Sequence, residues 1–262
     1  ICAVSAQKIP VISHIHNNCP WLKKICLKTL AYGMTCFKYK YMLGVSDSVF
    51  EEFIFGRFFD KKEKIVGNPI SVELIRRKTD GSNSGEEYDI AFLGRLSEQK
   101  NPLEYIEIVN DIQCEMPVKA VMIGDGELRE IVEEKIQELG LEEIINLKGF
   151  LENPYEVLQK CKVLCMPSRW EGFGLAAVEA LALGVPVVAT EVGGLPGIID
   201  ESCGKLCDSK ETFVEEIGSL LSDSELYRKK ISGANKRAEE LDNIDQYISD
   251  MINVYKNCGV II

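Results

Sequence analysis

Apolar and polar positions alternate in blocks along this chain, and one block is apolar almost throughout. Leu175 to Leu183 reads LAAVEALAL, apolar on every side of a helix except at Glu179, and after Gly184 comes the unbroken run Val185 to Ala189. A helix apolar all round is a buried helix, and a short run rich in β-branched residues suits a strand covered on both faces. The same grammar extends upstream. Apolar runs at Tyr88 to Leu93, Val118 to Ile123, Ile144 to Leu147 and Val163 to Met166 predict strands. Amphipathic stretches at Leu103 to Gln113, Leu128 to Leu139 and Pro154 to Lys160 predict the helices between them, and Glu211 to Leu221 and Glu225 to Glu240 predict two more at the end. Such alternation argues for a parallel, doubly wound α/β sheet over residues 88–240, with ligands beyond the carboxyl ends of the strands. The loops 94–101, 124–126, 149–153, 167–173 and 191–197 gather there.

Before residue 88 the pattern is shorter. Pro10 to Ile15, Met42 to Val45 and Lys64 to Val66 read as strands, residues 21–40 as a helix, and Ser46-Asp47-Ser48 as the cap of another. Residues 76–87, RRKTDGSNSGEE, are polar and lack large apolar side chains, which makes them the linker. Ile244 to Lys256 predicts a last helix.

Glu179 is the anomaly in the buried block, because desolvating an unpaired carboxylate costs several kcal/mol or more. Something polar must meet it. Glu171, Gly172, Phe173 and Gly174 lead into its helix, and glycines there let a ligand approach the backbone while the first amides of the helix remain available. Those amides and the helix dipole favour an anion. Carboxylates before and inside the helix, with amides between, suit a ligand with phosphate in the middle and hydroxyls on each side, such as a nucleotide sugar.

Composition narrows the classes. The chain has 262 residues, 46% of them hydrophobic, enough for a real core. Ten cysteines include no C-x-x-C pair and there are only two histidines, so neither a zinc site nor a disulfide framework is indicated, and a reducing compartment, the cytosol, is expected. Residues 1–64 carry a net charge of +5 and the remainder −16, an acidic bulk that argues against nucleic acid as a partner. The basic front contains WLKKICLKTLAYGMTCFKYKY over residues 21–41. Its first reading is a helix packed by its apolar face with lysines in solvent; its second is an interfacial helix at a membrane. No signal peptide or spanning segment is visible, and the start at ICAVSAQ without a Met suggests a piece of something longer.

The Glu171-x7-Glu179 pair, set in PSRWEGFGLAAVEALALGVPVVAT, resembles the signature of the retaining glycosyltransferases of the glycosyltransferase-B fold, a group that includes many capsule and exopolysaccharide enzymes. The resemblance continues in Gly94-Arg95-Leu96 with Lys100 five residues beyond the arginine, and implies that Arg95 and Lys100 hold the donor diphosphate. Two cations at a strand's carboxyl end also suit a pyrophosphate on physical grounds alone. By the same match Gly149 and Phe150 lie near the nucleotide base and Glu179 binds the ribose. Glu171 faces hydroxyls of the transferred sugar, and Gly172, Phe173, Gly174 and Leu175 present their amides. His16, with Asn17 after it and His14 before it, corresponds to a histidine that reaches the transferred sugar. Gly197 stands where a Glu is common in the family, and the sequence lacks a G-x-G-x-x-G.

The resemblance implies two facing α/β domains, with residues 1–75 as the last part of the acceptor-side domain, 88–240 as the donor domain, and 241–262 as a helix crossing back. Residues 1–75 are then expected to leave apolar surface and strand edges uncovered. The implied activity is a hexosyl transfer from a nucleoside-diphosphate sugar, UDP-linked by the family's commonest usage, to a glycan or lipid-linked acceptor in polysaccharide biosynthesis. No metal or other cofactor is expected, and the place is the cytoplasm at the inner membrane face. With so little of the acceptor-side domain, slow or absent turnover is also expected. Two other readings remain: a nucleotide-sugar epimerase of similar architecture, and a binding module without turnover.

Overall fold

The computed structural model describes residues 9–16, 19–79 and 86–259. These fall into two compact units. The first holds the described residues up to Ile70, together with Trp170–Phe173 and the residues from Asn243 onward; the second holds Ser71–Arg169 and Gly174–Asp242.

The second unit is built on a six-stranded, all-parallel sheet. Its strands are β4 (Tyr88–Leu93), β5 (Ala120–Ile123), β6 (Ile145–Gly149), β7 (Cys161–Met166), β8 (Val187–Thr190) and β9 (Gly204–Cys207), in the order β6-β5-β4-β7-β8-β9. Composition decides who sits in the middle. β4, β5, β7 and β8 are mainly apolar, interrupted only by Asp89, Lys162 and Thr190, and are buried along most of their length, whereas the edge strands INLKG and GKLC are less apolar and less buried. Ile90 pairs with Ala120 on one side and Val163 on the other. The chain steps outward from β4 through β5 to β6, then returns to β7 on the other side of β4. The strand order therefore reverses between β4 and β7, and the loops leaving those strands flank the crevice where ligands of such sheets bind.

Helices α3 (Val72–Arg77), α4 (Pro102–Glu115), α5 (Arg129–Glu138), α6 (Tyr155–Leu158), α7 (Leu175–Ala182), α8 (Lys210–Ser222) and α9 (Ser224–Leu241) complete this unit. Ser209 and Asp223 cap α8 and α9 with their side chains. The core is the apolar stripe of α4 (Tyr105, Ile106, Ile108, Val109, Ile112) packed on Ile90, Phe92, Ala120 and Met122. Cys161, Cys165, Cys203 and Cys207 are buried and unpaired, and burial pushes the Cys161 and Cys207 thiols up to about 12, so they act as small apolar side chains. Two features differ from expectation. β9 was not signalled, because four residues containing Gly and Lys carry no strand pattern. Residues 76 and 77, placed in the linker, lie in α3: Arg76 donates to the Ala182 carbonyl at the end of α7 (2.8 Å), to Asn235 and to Glu239. The units divide at Ile70/Ser71 rather than within 76–87. Residues 80–85 of that stretch lie outside the described residues.

The first unit carries a three-stranded parallel sheet, β1 (Val11–Ile15), β2 (Tyr39–Gly44) and β3 (Glu63–Ile65), in the order β1-β2-β3. Helices α1 (Leu27–Cys36), α2 (Ser48–Glu51) and α10 (Ile244–Asn257) belong to it. Val254, Tyr247 and Met251 of α10 pack on Leu43 and Val66. The helix expected over residues 21–40 is broken: Pro20–Lys23 form a 3-10 turn, and the Thr29 hydroxyl lies 2.7 Å from the carbonyl oxygens of both Trp21 and Lys24, so the chain folds back before α1 starts. The face of α1 is also reversed from the packed reading. Thr29, Gly33 and Cys36 are buried, while Leu27, Leu30, Met34 and Phe37 point outward, with Leu27 84% exposed. Leu30, Met34 and Phe37, together with Phe55, Phe58 and Phe59, line an apolar groove of about 250 Å³. Among the described residues no helix is long and apolar enough to cross a membrane.

Candidate active site

The candidate residues of the second unit follow β4 (Arg95, Lys100), end β6 and begin the segment after it (Gly149, Phe150), and open or lie within α7 (Gly174, Leu175, Glu179). After β4, the Gly94 amide donates to Ile123 (3.0 Å) and the Leu96 amide to Asp125 (3.0 Å), which lays the 94–97 segment along 124–126. The two backbones nearly touch: a methyl group at Gly124 would fall 1.9 Å from the Gly94 carbonyl oxygen, and φ there is +140°. Gly124-Asp125-Gly126, uninformative as a sequence motif, is thus what lets the arginine loop sit where it does. Asn101 closes that loop in the left-handed region (φ +52°), a conformation Asn tolerates, and Pro102 then opens α4.

Arg95 stands in solvent at 72% exposure and pairs with Glu127 at 3.0 Å. The Lys100 chain passes over the Gly94 backbone. An exposed pair such as Arg95–Glu127 contributes about 0–1 kcal/mol, so the carboxylate is a weak competitor for any anion that reaches the guanidinium. Glu127→Gln is therefore expected to tighten nucleoside diphosphate binding by up to about fivefold at low salt, with the gain fading as salt rises. Calorimetric titration at two ionic strengths checks this; weaker binding by the variant would mean instead that Glu127 aims Arg95.

α7 starts at Gly174, whose φ of +101° and contact with Leu195 (2.5 Å to an added methyl) exclude a larger residue without repacking. Leu175 is exposed and the residues after it are buried, apart from Glu179 and Leu183 at intermediate exposure. The partner that Glu179 needs is Tyr155, whose hydroxyl donates to Glu179 Oε1 at 2.9 Å. Burial raises the Glu179 carboxyl above its usual range, while the Tyr155 hydrogen bond and the charges of Lys78 and Lys100 pull it back. Lys78 Nζ also lies 5.3 Å from the centre of the Tyr155 ring. Neither Tyr155 nor Lys78 was found from sequence: one follows an ordinary helix-opening proline, and the other falls in the polar stretch read as linker.

Gly149 ends β6 and Phe150 follows it. The Gly149 carbonyl accepts from the Gly124 amide at 2.8 Å, and Phe150 is 75% exposed beside a cleft of about 390 Å³ lined by Gly94, Arg95, Gly124, Phe150, Leu151 and Pro154. Its walls are largely apolar, with Arg95 at one side, dimensions and chemistry that accommodate a heterocyclic base.

The first unit holds the remaining candidates. His16 Nδ1 lies 3.3 Å from Asn68 Oδ1, and its ring centre is 4.2 Å from that of His14. Burial, and then the His16 charge, hold His14 below the usual histidine range. Glu171, Gly172 and Phe173 group with this unit, and Glu171 is only 4% exposed. The Ser46 hydroxyl donates to the Gly172 carbonyl at 2.8 Å and meets Ser48. Ser46-Asp47-Ser48 was expected to cap a helix; Asp47 takes the N-cap position of α2 without a side-chain capping bond, and Ser46 is engaged by the 170–173 loop. Asn17 lies outside the described residues. Among the described residues no group of three or more His, Cys, Asp or Glu side chains is arranged to hold a metal ion.

Comparison with known proteins gives these features a context. The family described as Glycosyl transferases group 1 matches residues 75–237, which span α3 to α9 and so the whole sheet of the second unit. This chain belongs to the group 1 glycosyl transferases. A glycosyltransferase relative from Campylobacter jejuni, named GalNAc-alpha-(1->4)-GalNAc-alpha-(1->3)-diNAcBac-PP-undecaprenol alpha-1,4-N-acetyl-D-galactosaminyltransferase, is 29% identical over 92% of this chain and 67% of its own length. A second from the same organism, an N-acetylgalactosamine-N,N'-diacetylbacillosaminyl-diphospho-undecaprenol 4-alpha-N-acetylgalactosaminyltransferase, is 30% identical over 70% of this chain and 51% of its own. The chain thus spans between about half and two thirds of these glycosyltransferases. Among solved structures, Anabaena HepE in complex with UDP and glucose superposes with a TM-score of 0.81 at 18% identity, covering 97% of this chain and 74% of that one. The pneumococcal O-GlcNAc transferase GtfA in complex with UDP and GlcNAc superposes at 0.79 and 19%, covering 98% and 54%. The fold is that of the glycosyltransferase-B enzymes.

Proposed function

We propose that this chain binds a nucleoside-diphosphate sugar, UDP-linked, and serves a retaining transfer of the hexose to a glycan or lipid-linked acceptor in polysaccharide biosynthesis. The observation that carries the reading is Glu179: a largely buried carboxylate in the second turn of α7, met by one tyrosine hydroxyl, on a helix whose start neighbours the crevice at the β4/β7 reversal. Its Oε2 and remaining lone pairs suit the two adjacent hydroxyls of a ribose. Arg95 and Lys100 take the diphosphate, the cleft beside Phe150 takes the base, and the amides after Gly174 face the phosphates. The UDP carried by the superposed structures fits this assignment.

In the reaction an acceptor hydroxyl bonds to the anomeric carbon on the face that the diphosphate leaves, the C–O bond to the diphosphate breaks, and the hydroxyl proton passes to the departing diphosphate oxygen. Arg95, Lys100 and the helix amides receive the charge that develops on the leaving group, so no metal is required for that task. Glu171 and His16 act on the transferred sugar. The lysine-rich stretch 21–41, with Leu27, Met34 and Phe37 outward and no acidic residue, supports contact with an anionic lipid surface, as a lipid-linked acceptor at the inner membrane face requires.

The reading is tested by incubating the chain with UDP-, GDP- and ADP-sugars and a diphosphoundecaprenol-linked glycan in vesicles, following nucleoside diphosphate release and the product's anomeric configuration by NMR. Acceptor-dependent release of UDP with retained configuration supports it. An inverted product, or epimerisation of the sugar without acceptor, contradicts it.

A further inference from the structure

Glu179 does not stand alone, and its surroundings join three separate parts of the second unit. The Tyr155 hydroxyl donates to Glu179 Oε1 at 2.9 Å from the first residue of α6. That helix follows directly on Pro154, which lines the cleft beside Phe150, so the wall of the cleft and the donor to Glu179 are adjacent residues. Lys78 sits over the Tyr155 ring, and its carbonyl accepts from Asn153 Nδ2 at 2.8 Å, which ties the end of the α3 segment to the same loop. Arg76, two residues earlier, holds the carboxyl end of α7 through the Ala182 carbonyl. Tyr155 keeps its proton, since burial raises its phenol well above the usual range. Its hydroxyl is therefore a permanent donor.

We propose that Tyr155 and Lys78 are a positioning pair for Glu179, fixing its carboxylate so that it accepts from two neighbouring hydroxyls of the donor's nucleoside. The inference rests on the reading of Glu179 given above and adds two residues to it, one from the loop that borders the base cleft and one from the segment entering the unit. The groups acting on Glu179 are Tyr155, Lys78 and Lys100, with burial opposing all three. A hydroxyl donor is worth most to the ionised carboxylate, so its removal both frees the rotamer and favours protonation. A protonated or swivelled Glu179 loses one of its two acceptor positions for the diol.

Titration calorimetry of the full chain with UDP and with 2′,3′-dideoxy-UDP, from pH 5 to 8, separates the possibilities. Both ligands carry the same diphosphate, so its own titration cancels in their ratio. The parent is expected to prefer UDP by about tenfold or more. Tyr155→Phe is expected to lose most of that preference, to bind the dideoxy ligand as the parent does, and to move the acid loss of preference to higher pH. Lys78→Gln is expected to move it the same way by less. If Glu179→Gln abolishes the preference while Tyr155→Phe keeps it at every pH, the positioning pair is refuted and the Glu179 reading stands. Equal weakening of both ligands by Tyr155→Phe marks mere structural support and also refutes it. A Glu179→Gln variant that retains the preference removes Glu179 from the ribose and both proposals with it.

Discussion

Arg95→Ala combined with Lys100→Ala is expected to weaken binding of a nucleoside diphosphate by about a hundredfold or more while weakening the already poor binding of the bare nucleoside far less. Each cation offers charge-assisted hydrogen bonds to phosphate oxygens, worth about 1.5–3 kcal/mol apiece, and the pair together corresponds to roughly 10²–10⁴ in affinity. The lower end is the appropriate figure here. Arg95 is 72% exposed and already engaged by Glu127, so solvent and the competing carboxylate both discount its share. Lys100 passes over the Gly94 backbone, and its charge also acts on Glu179, so the double variant removes a cation from both ends of the proposed ligand. Calorimetry with UDP and with uridine measures the difference. Equal losses for the two would place the cations away from the phosphates.

Gly124→Ala is the substitution expected to cost the fold most. The added methyl would lie 1.9 Å from the Gly94 carbonyl oxygen and 2.8 Å from its carbonyl carbon, and the residue sits at φ +140°, where a side chain is strained even in open space. Backbone strain of about 1–3 kcal/mol and overpacking of similar size add to roughly 2–6 kcal/mol. For a chain of this size that lowers Tm by about 10 °C or more. Relief requires separating the 94–97 and 124–126 segments, so nucleotide binding falls as well, even in protein that remains folded. Thermal melts by circular dichroism check the first effect and calorimetry below the melt the second; a melt within a few degrees of the parent would show that the two loops part easily.

The architecture was legible in the sequence where side chains answer to one requirement at a time. Strands in the middle of a parallel sheet need apolar residues on both faces, and the runs around Ile90, Val121, Leu164 and Val187 could be little else. β9 was missed because an edge strand is under no such demand. The stretch 21–41 misled in a different way: its helical period is genuine, but Thr29 takes two carbonyls and ends the first turn, and the apolar stripe faces outward rather than in. Within the candidate site, Glu179 betrayed itself by being the one carboxylate in an apolar block. Its partners could not, since Tyr155 and Lys78 are joined to it only by the fold, from 24 residues away and from a segment whose polarity reads as linker. Ser46 is similar: a serine before a short helix reads as a cap, and its actual use, holding the Gly172 carbonyl 126 residues later, leaves no local trace.

The most direct test of the account is a calorimetric titration of the chain with UDP, GDP and ADP, repeated with Glu179→Ala. Saturable binding of UDP at a single site is expected, with weaker binding of the other two and a loss of about tenfold or more, some 1.4 kcal/mol, in the variant. Binding of none of the three, or UDP binding that Glu179→Ala leaves untouched, would contradict it.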